Sequence, residues 1–579
     1  MDFHRFAPSP PLGWNSWDCF ATTVTESQVR AQADYMASEL LRFGWQYVVV
    51  DIQWYEPGAS GFAYRADAPL TLDAYGRLLP APNRFPSSTA GAGFAPLAAY
   101  VHARGLKFGV HLMRGIPRRA VALDTPILGT SLRATEIADR GRVCAWNPDM
   151  YGVDMSKPGA QEYYDSVFAL FAEWGVDYVK LDDMSRPYHD NEAEIEAVRR
   201  AIDRTRRPMV LSFSPGETAL SAAEHVKRHA NLWRISDDFW DNWQALVEQF
   251  GRLSRWAEHV GPGHWPDADM LPLGVLDCGK RSCRFSPDEQ RTMMSLWSIA
   301  RSPLMHGGDL TRTDPATLAL LTNPEVLSVN QHSSDNCQLF ARDGRIAWRA
   351  QVPDSDDLYV ALFNAQSRLE PRDERAVYVA ELEYEKGKPA PAADVDADVA
   401  GALRVLLIAD DGGANAAHWV GVWDEPRVTL ADGSEVALCA GEWNSATAWW
   451  GDTPKAELGK DKPYRIAGKP VTRGFGAPTQ SIIEFALPSG AERLRARVGF
   501  EDSALPSEGK LRFRVLVVLP GDESEEPGIV VPLRASELGF SGAMRVRDLW
   551  EQRELGVFSE EFAPLLPWHG SGLYRVSPA

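Results

Sequence analysis

The stretch Asp177-Tyr178-Val179-Lys180-Leu181-Asp182-Asp183 decides the reading of this 579-residue chain. It is a short, mostly apolar run that ends in acids. An amphipathic pattern precedes it over 160–174 and another follows over 191–202. A strand between two helices is one link of a β/α repeat. Outward from it the same link recurs. Strand-like runs fall at 12–17, 47–54, 107–113, 177–183, 209–216, 232–238, 264–270 and 303–308. Amphipathic runs at 26–43, 160–174, 191–202, 222–229, 244–259 and 287–300 lie between them. In 26–43, Val29, Ala33, Met36, Leu40 and Leu41 recur at helical spacing. Ser286-Pro287-Asp288-Glu289 reads as an N-cap, a first-turn proline and early acids. Eight strands alternating with helices predict an α/β fold, a closed (β/α)8 TIM barrel over 1–318. An open doubly wound sheet is the alternative. It is disfavoured because no Gly-rich nucleotide loop follows the first strand.

After about residue 320 the pattern changes to short strands and polar turns, at 337–341, 346–351 and 358–364. An Ala/Pro/Asp-rich stretch, 388–400, reads as a linker. A second all-β block runs from 403 to 519, and strand patterns resume at 529–533, 544–548 and 572–576. The prediction is a C-terminal antiparallel β-sandwich (319–387 and 526–579) interrupted by an inserted all-β module over 400–520.

Composition narrows the partners. A net charge of −19 disfavours nucleic acid and anionic membranes, which select for clustered Lys and Arg. No apolar run approaches the roughly 20 residues of a membrane span. The six cysteines contain no CxxC pair, so neither a metal site nor a dense disulfide framework is expected. His111, His264 and His306 show no HxH or HExxH spacing, which argues against a metal-dependent barrel hydrolase. No cofactor is expected. Residues 1–11 lack a basic region followed by an apolar core, so no signal peptide is predicted. The expected location is cytoplasmic for the chain as it stands, and periplasmic or secreted if a signal has been trimmed. The 20 Trp and 16 Tyr mainly pack cores, but flat rings also stack on sugars.

Catalytic residues of such barrels lie at the C-terminal ends of strands. Here four strands end in acids: Asp51, Asp182 with Asp183, Asp237 with Asp238, and Asp267 with Asp269. Two carboxylates flanking a glycosidic bond are what retaining glycoside hydrolysis needs. Side-chain alternation selects among neighbours. Lys180 and Asp182 share a face, and a cation beside a carboxylate favours its ionised form. Arg234, Ser236 and Asp238 share another. Alternation turns Asp183 and Asp237 away.

Gly13-Trp14-Asn15-Ser16-Trp17, Val50-Asp51, Lys180-Leu181-Asp182, Trp233-Arg234-Ile235-Ser236 with Asp238, Gly261-Pro262-Gly263 and Asp267-Ala268-Asp269-Met270 resemble glycoside hydrolase family 27, the α-galactosidase family. The resemblance implies a retaining mechanism on an oligosaccharide or polysaccharide with a terminal α-linked sugar. Its nucleophile falls on Asp182 and its acid/base on Asp238. Its sugar contacts fall on Trp14, Asp51, Lys180, Arg234 and Asp269. His111 stands where the family has an aromatic residue on strand 3, and Ser214 lies in its Cys-Glu-Trp stretch. The typical pair of acids ending strand 2 reads Asp51-Ile52 here, and Met184 replaces a common disulfide partner. Isoleucine accepts no hydrogen bond, and an unpaired sugar hydroxyl in a buried site is costly. Isomalto-dextranase belongs to the same family, so an α-glucan is an alternative substrate, as is a β-L-arabinopyranoside. A sugar-binding protein on a dead hydrolase scaffold is disfavoured, because both acids are present.

Residues 418–519 resemble the NPCBM carbohydrate-binding module through Trp443-Asn444-Ser445-Ala446-Thr447-Ala448-Trp449-Trp450-Gly451, Gly474-Phe475-Gly476 and Ser481-Ile482-Ile483-Glu484. Trp443, Trp449 and Trp450 either stack on sugar or fill a small core. Val546-Arg547-Asp548-Leu549-Trp550 and His569-Gly570-Ser571-Gly572 resemble the end of the family 27 C-terminal sandwich.

Overall fold

Eight short parallel strands form one sheet: β1 (Leu12–Asn15), β2 (Tyr47–Val50), β3 (Lys107–Met113), β4 (Tyr178–Asp182), β5 (Val210–Phe213), β6 (Leu232–Arg234), β7 (Trp265–Asp267) and β8 (Leu304–His306). Their order is β7-β6-β5-β4-β3-β2-β1-β8, so neighbours in the chain are neighbours in the sheet. The curled sheet is joined at its two ends where Leu271, just past β7, bridges His306 in parallel. Leu271 donates its N–H to Met305 at 2.8 Å and accepts from Gly307 at 2.9 Å. The expected barrel-like α/β domain is therefore present. The computed structural model describes residues 2–368, 375–412, 419–440, 445–447, 463–471, 473–505, 508–522 and 526–579.

β2 reads Tyr-Val-Val-Val and is buried at every position, as a parallel strand covered on both faces must be. The helices outside begin with α1 (Glu26–Tyr35), which runs on through a π turn (Met36–Leu40) and a 3-10 turn (Leu41–Phe43). Thr25 and Gln28 cap its start. α2 (Ala95–His102) comes from an Ala-rich stretch without a polar face, and the periodicity reading missed it. α3 (Ala160–Trp174) lies between Gly159 and Gly175, both left-handed, at φ 90° and 84°. α4 (Tyr188–Thr205), α5 (Ala223–Lys227), α6 (Trp243–Trp256) and α7 (Pro287–Ala300) follow. Ser286 and Glu289 form the capping box at the start of α7: Glu289 N–H donates to Ser286 Oγ at 3.2 Å, and Ser286 N–H to Glu289 Oε2 at 2.8 Å. Between β3 and α3 the chain makes a three-stranded antiparallel sheet from Ile116–Pro117, Met150–Val153 and Ala138–Val143.

The chain divides into two compact units. The first comprises Met1–Asp241, Leu246–Ala365 and Val530–Ala579. Beyond the barrel it holds a six-stranded sheet, ordered Ser334–Arg342, Arg345–Gln351, Leu358–Asn364, Ser571–Pro578, Met544–Asp548, Arg553–Phe558. Leu358–Asn364 pairs directly with Ser571–Pro578 across some two hundred intervening residues.

The second unit is Asn242–Ala245 with Gln366–Ile529. Two antiparallel sheets share one core that includes Val405, Leu407, Trp423, Phe475, Ile483, Phe485, Leu494, Val498 and Phe513. The expected linker at 388–400 is corrected here. Ala392–Asp398 is a strand paired with Ala491–Phe500, and its alternation of Val395 and Ala397 (buried) with Asp394, Asp396 and Asp398 carries the core-facing pattern. Ala376–Glu385, read from sequence with the C-terminal sandwich, pairs with Glu508–Val518 in this unit. Trp443, Trp449 and Trp450 lie outside the described residues. Among the described residues no helix is long and apolar enough to cross a membrane, and no cysteine is in a disulfide.

Candidate active site

β3 and the ends of β2, β4 and β5 bring five of the expected residues together: Asp51, His111, Lys180, Asp182 and Ser214. Asp182 closes β4 and is 5% exposed. Its Oδ1 accepts a hydrogen bond from the Ser214 hydroxyl, just after β5. Its Oδ2 lies 2.9 Å from His111 Nε2 on β3, within ion-pair range, although the ring N–H is not aligned as a hydrogen bond. Lys180 Nζ lies 3.9 Å from Asp182 Oδ1 and donates to Asp51 Oδ2 at 2.9 Å. Asp51 also accepts from Asn15 Nδ2 at 2.7 Å and from the Ile52 N–H at 2.8 Å. Burial works against the Asp182 charge, but Lys180, His111 and Ser214 outweigh it and hold the carboxyl well below the usual range. Burial likewise opposes the Lys180 charge, and the Asp182 and Asp51 carboxylates more than restore it, so its pKa is raised.

A second cluster is centred on Arg234, which ends β6 and is 2% exposed. Its guanidinium lies 2.7 Å from Asp269 Oδ2 and 3.1 Å from Asp238 Oδ1. Asp269 also accepts from the Phe239 N–H at 2.7 Å, and its backbone is left-handed at φ 85°. Burial pushes the Asp269 carboxyl up to about 7; Arg234 opposes this, while Asp238 and Asp267 add to it. Asp238 differs from the rest, because half of its side chain is exposed.

The rejected neighbours are occupied elsewhere. Asp183, at φ 66°, turns away and takes Arg114 at 2.7 Å. Asp237 pairs with Arg186 at 2.7 Å. Alternation accounts for Asp183 but not for Asp237, because β6 stops at Arg234 and 235–238 is a loop.

A recess at this end of the barrel is lined by Lys180, Arg234, Asp238 and Asp269 together with Trp17, Asp18, Phe239, Trp240 and Met270. Lys180, itself in the lining, connects it to Asp51 and Asp182, and Asp182 connects in turn to Ser214 and His111. Trp14 does not join the lining. Its ring is fully buried and its indole N–H donates to the Gly308 carbonyl at 2.9 Å, whereas Trp17 lines the recess. β1 ends at Asn15 and the chain turns into a short helix, Trp17–Phe20, which swings the second tryptophan of the motif into the recess.

Two further residues escaped the sequence reading. Asp18 is 2% exposed, and its Oδ2 has no hydrogen-bond partner among the described residues. Burial first, then the neighbouring Asp269, raise its pKa well above the usual range. Tyr64, in the long loop after β2, lies parallel to Trp17 with ring centres 6.5 Å apart and is raised by burial and by Asp182, Asp51 and Asp238. Neither stands at a strand end; the sequence signal for Asp18 is its place directly after the Gly-Trp-Asn-Ser-Trp motif, and Tyr64 carries none.

The family model described as "Alpha galactosidase A" matches residues 128–332, and that of the "NPCBM/NEW2 domain" matches 434–523. The crystal structure of a family 27 β-L-arabinopyranosidase from Geobacillus stearothermophilus is 37% identical. The match covers 100% of this chain and 98% of that one, with a TM-score of 0.70. The α-galactosidase of Oryza sativa subsp. japonica is 29% identical over 56% of this chain. The α-N-acetylgalactosaminidase of Gallus gallus is 28% identical over 56% of this chain and 71% of its own length. The match spans 64% of the rice enzyme and 64% of the α-galactosidase of Cyamopsis tetragonoloba. On the end-to-end likeness at 37% identity, the chain belongs to glycoside hydrolase family 27.

Proposed function

We propose that this protein is a retaining glycosidase that releases a terminal sugar of galactose-like ring configuration through a covalent glycosyl-enzyme. The observation that carries the reading is Asp182, enclosed and kept ionised by Lys180, His111 and Ser214 at the end of a barrel strand. Such a carboxylate suits attack on an anomeric carbon. Asp238 contrasts with it in exposure. A half-open carboxyl beside Arg234 suits protonation of a departing oxygen and later activation of water. Lys180, Arg234 and Asp269 line the recess with donors and acceptors for ring hydroxyls, and Trp17 offers an apolar face.

The sugar we favour is β-L-arabinopyranose over α-D-galactose. The two share their ring hydroxyl arrangement and differ by the exocyclic CH2OH. Ile52, 2% exposed beside Asp51, supplies no partner for that extra hydroxyl. The arabinopyranosidase at 37% identity supports the same choice. We also take the second unit as a carbohydrate-binding module, on the match over 434–523.

Asp182→Asn should abolish turnover while leaving the circular dichroism spectrum and Tm close to wild type. Wild-type hydrolysis by that variant would overturn the assignment. Aryl β-L-arabinopyranoside, aryl α-galactoside, aryl α-glucoside and dextran, compared side by side, test the sugar. Isomaltose release from dextran would replace the present reading with an α-glucan one. Anomeric NMR of the first product tests retention.

A further inference from the structure

Away from the recess, α4 and α5 bring three metal-binding side chains together. Glu196 comes from α4, His225 from α5, and His229 from just past its end. One donor atom from each, a carboxylate oxygen and two ring nitrogens, lie within 4.8 Å of one another. The two histidines are four residues apart and so share a face. Their ring centres are 4.2 Å apart.

In each ring Nδ1 is already engaged. The Tyr188 hydroxyl stands 2.8 Å from Nδ1 of His225. Nδ1 of His229 lies 2.7 Å from the His225 carbonyl. A carbonyl only accepts, so Nδ1 of His229 carries the proton and Nε2 of the neutral ring keeps its lone pair. Nε2 of His225 is buried without a hydrogen-bond partner among the described residues, 3.6 Å from Glu196 Oε1. That distance is too long for a hydrogen bond. The other Glu196 oxygen is occupied by Arg200 at 3.0 Å.

Imidazoles fixed at Nδ1, which leaves Nε2 for a ligand, are the arrangement by which protein scaffolds orient metal-binding histidines. A simple ion pair with Glu196 would account for one histidine and leave the second unexplained. Ligand bonds of about 2.1 Å put tetrahedral donors about 3.4 Å apart. Glu196, whose side chain is 44% exposed, is the member that would swing inward to close the set.

We propose that Glu196, His225 and His229 form a divalent transition-metal site on the outer wall of the barrel. Two imidazoles and a carboxylate suit Zn2+, with water completing four-coordination. Tyr188 is its positioning residue. The ion would tie α4 to α5, behind the strands β4 and β5 that carry Asp182 and lead to Ser214. Its role is structural, since a ligand bound only by the native state raises stability.

The test uses the full chain, stripped with a chelator and titrated with ZnCl2 in a calorimeter. One Zn2+ per chain should bind, Tm should rise with Zn2+ concentration, and Co2+ should give the visible spectrum of a four-coordinate site. His225→Ala and His229→Ala should each weaken Zn2+ binding at least about tenfold and remove both the Tm response and the Co2+ spectrum. Tyr188→Phe should weaken it by a smaller factor. Glu196→Gln, a half-exposed change that leaves the packing intact, gives the same readout without risk to the fold. Absence of stoichiometric binding would overturn the proposal, as would binding unchanged in the His225, His229 and Glu196 variants.

Discussion

Lys180 Nζ stands 2.9 Å from Asp51 Oδ2 and reaches across from β4 to the end of β2. The same nitrogen lies 3.9 Å from Asp182 Oδ1, so one cation serves two buried carboxylates. Lys180→Met would take this shared counter-charge from both acids, leaving Asp182 with His111 and Ser214. Breaking a buried pair from one side costs about 3–5 kcal/mol. The Asp182 pKa, depressed in the folded protein, should rise. For an acid of this kind the stability contribution is present above the unfolded value of 3.8 and is lost as pH falls through the folded one. The variant should lose that contribution at higher pH than wild type. Acid-limb kcat/KM should move upward in pH, and kcat should fall by about 100-fold or more. An unshifted acid limb would show that Lys180 does not set the charge of Asp182.

Asp18 permits a sharper comparison. Its carboxyl lines the recess, with one oxygen buried and unpaired among the described residues, and burial and Asp269 favour its neutral form. Asparagine is nearly isosteric with a protonated aspartate. Asp18→Asn should therefore keep kcat/KM within a few-fold of wild type. Asp18→Ala, which removes the polar group, should raise KM about tenfold, the value of one hydrogen bond in a closed site. Equal damage in the two variants would mean that Asp18 acts as an anion.

These residues show what the sequence could and could not reveal. The strand cores were legible because barrel strands are buried on both faces, and runs such as Tyr47–Val50 stand out as apolar. Asp182 was legible because it is the last residue of a regular strand. Alternation and the family pattern both pointed to Asp238, but the alternation argument has no footing there, since the strand stops four residues earlier and a loop has no period. That Trp17 rather than Trp14 lines the recess was not legible, because the change from strand to helix between them leaves no trace in composition. Tyr64 reaches the site from a long loop, where contacts are set by tertiary structure alone. The strand Ala392–Asp398 was obscured by the Ala, Pro and Asp of 388–400, residues that usually mark turns and of which Ala and Asp here sit on a half-exposed strand.

Ile52 can be converted to the acid that typical α-galactosidases carry. Ile52→Asp offers an acceptor for the C6 hydroxyl, so the ratio of kcat/KM for aryl α-galactoside over aryl β-L-arabinopyranoside should rise by about tenfold or more. Burying a new carboxylate next to Asp51 also costs stability, so Tm should fall. An unchanged ratio in a folded variant would show that position 52 does not read the exocyclic group.

Asp269 makes a prediction about stability and pH. Its folded pKa, about 7, lies above the ordinary value of 3.8 because burial, Asp238 and Asp267 outweigh Arg234. Below about pH 4 the carboxyl is protonated in both folded and unfolded chains and contributes nothing. Between the two values the unfolded chain releases a proton that the folded chain keeps, so stability falls as pH rises. Above about 7 both are ionised and the cost is constant. Asp269→Asn removes this titration, although it weakens the pairing with Arg234 at every pH. The difference in Tm between wild type and Asp269→Asn should therefore drift against wild type from pH 4 to 7 and then level off, as thermal melts across that range would show. A difference that instead grows in favour of wild type over the same window would mean that Arg234 dominates and that Asp269 is held as a carboxylate, which would make it a fixed acceptor for a sugar hydroxyl.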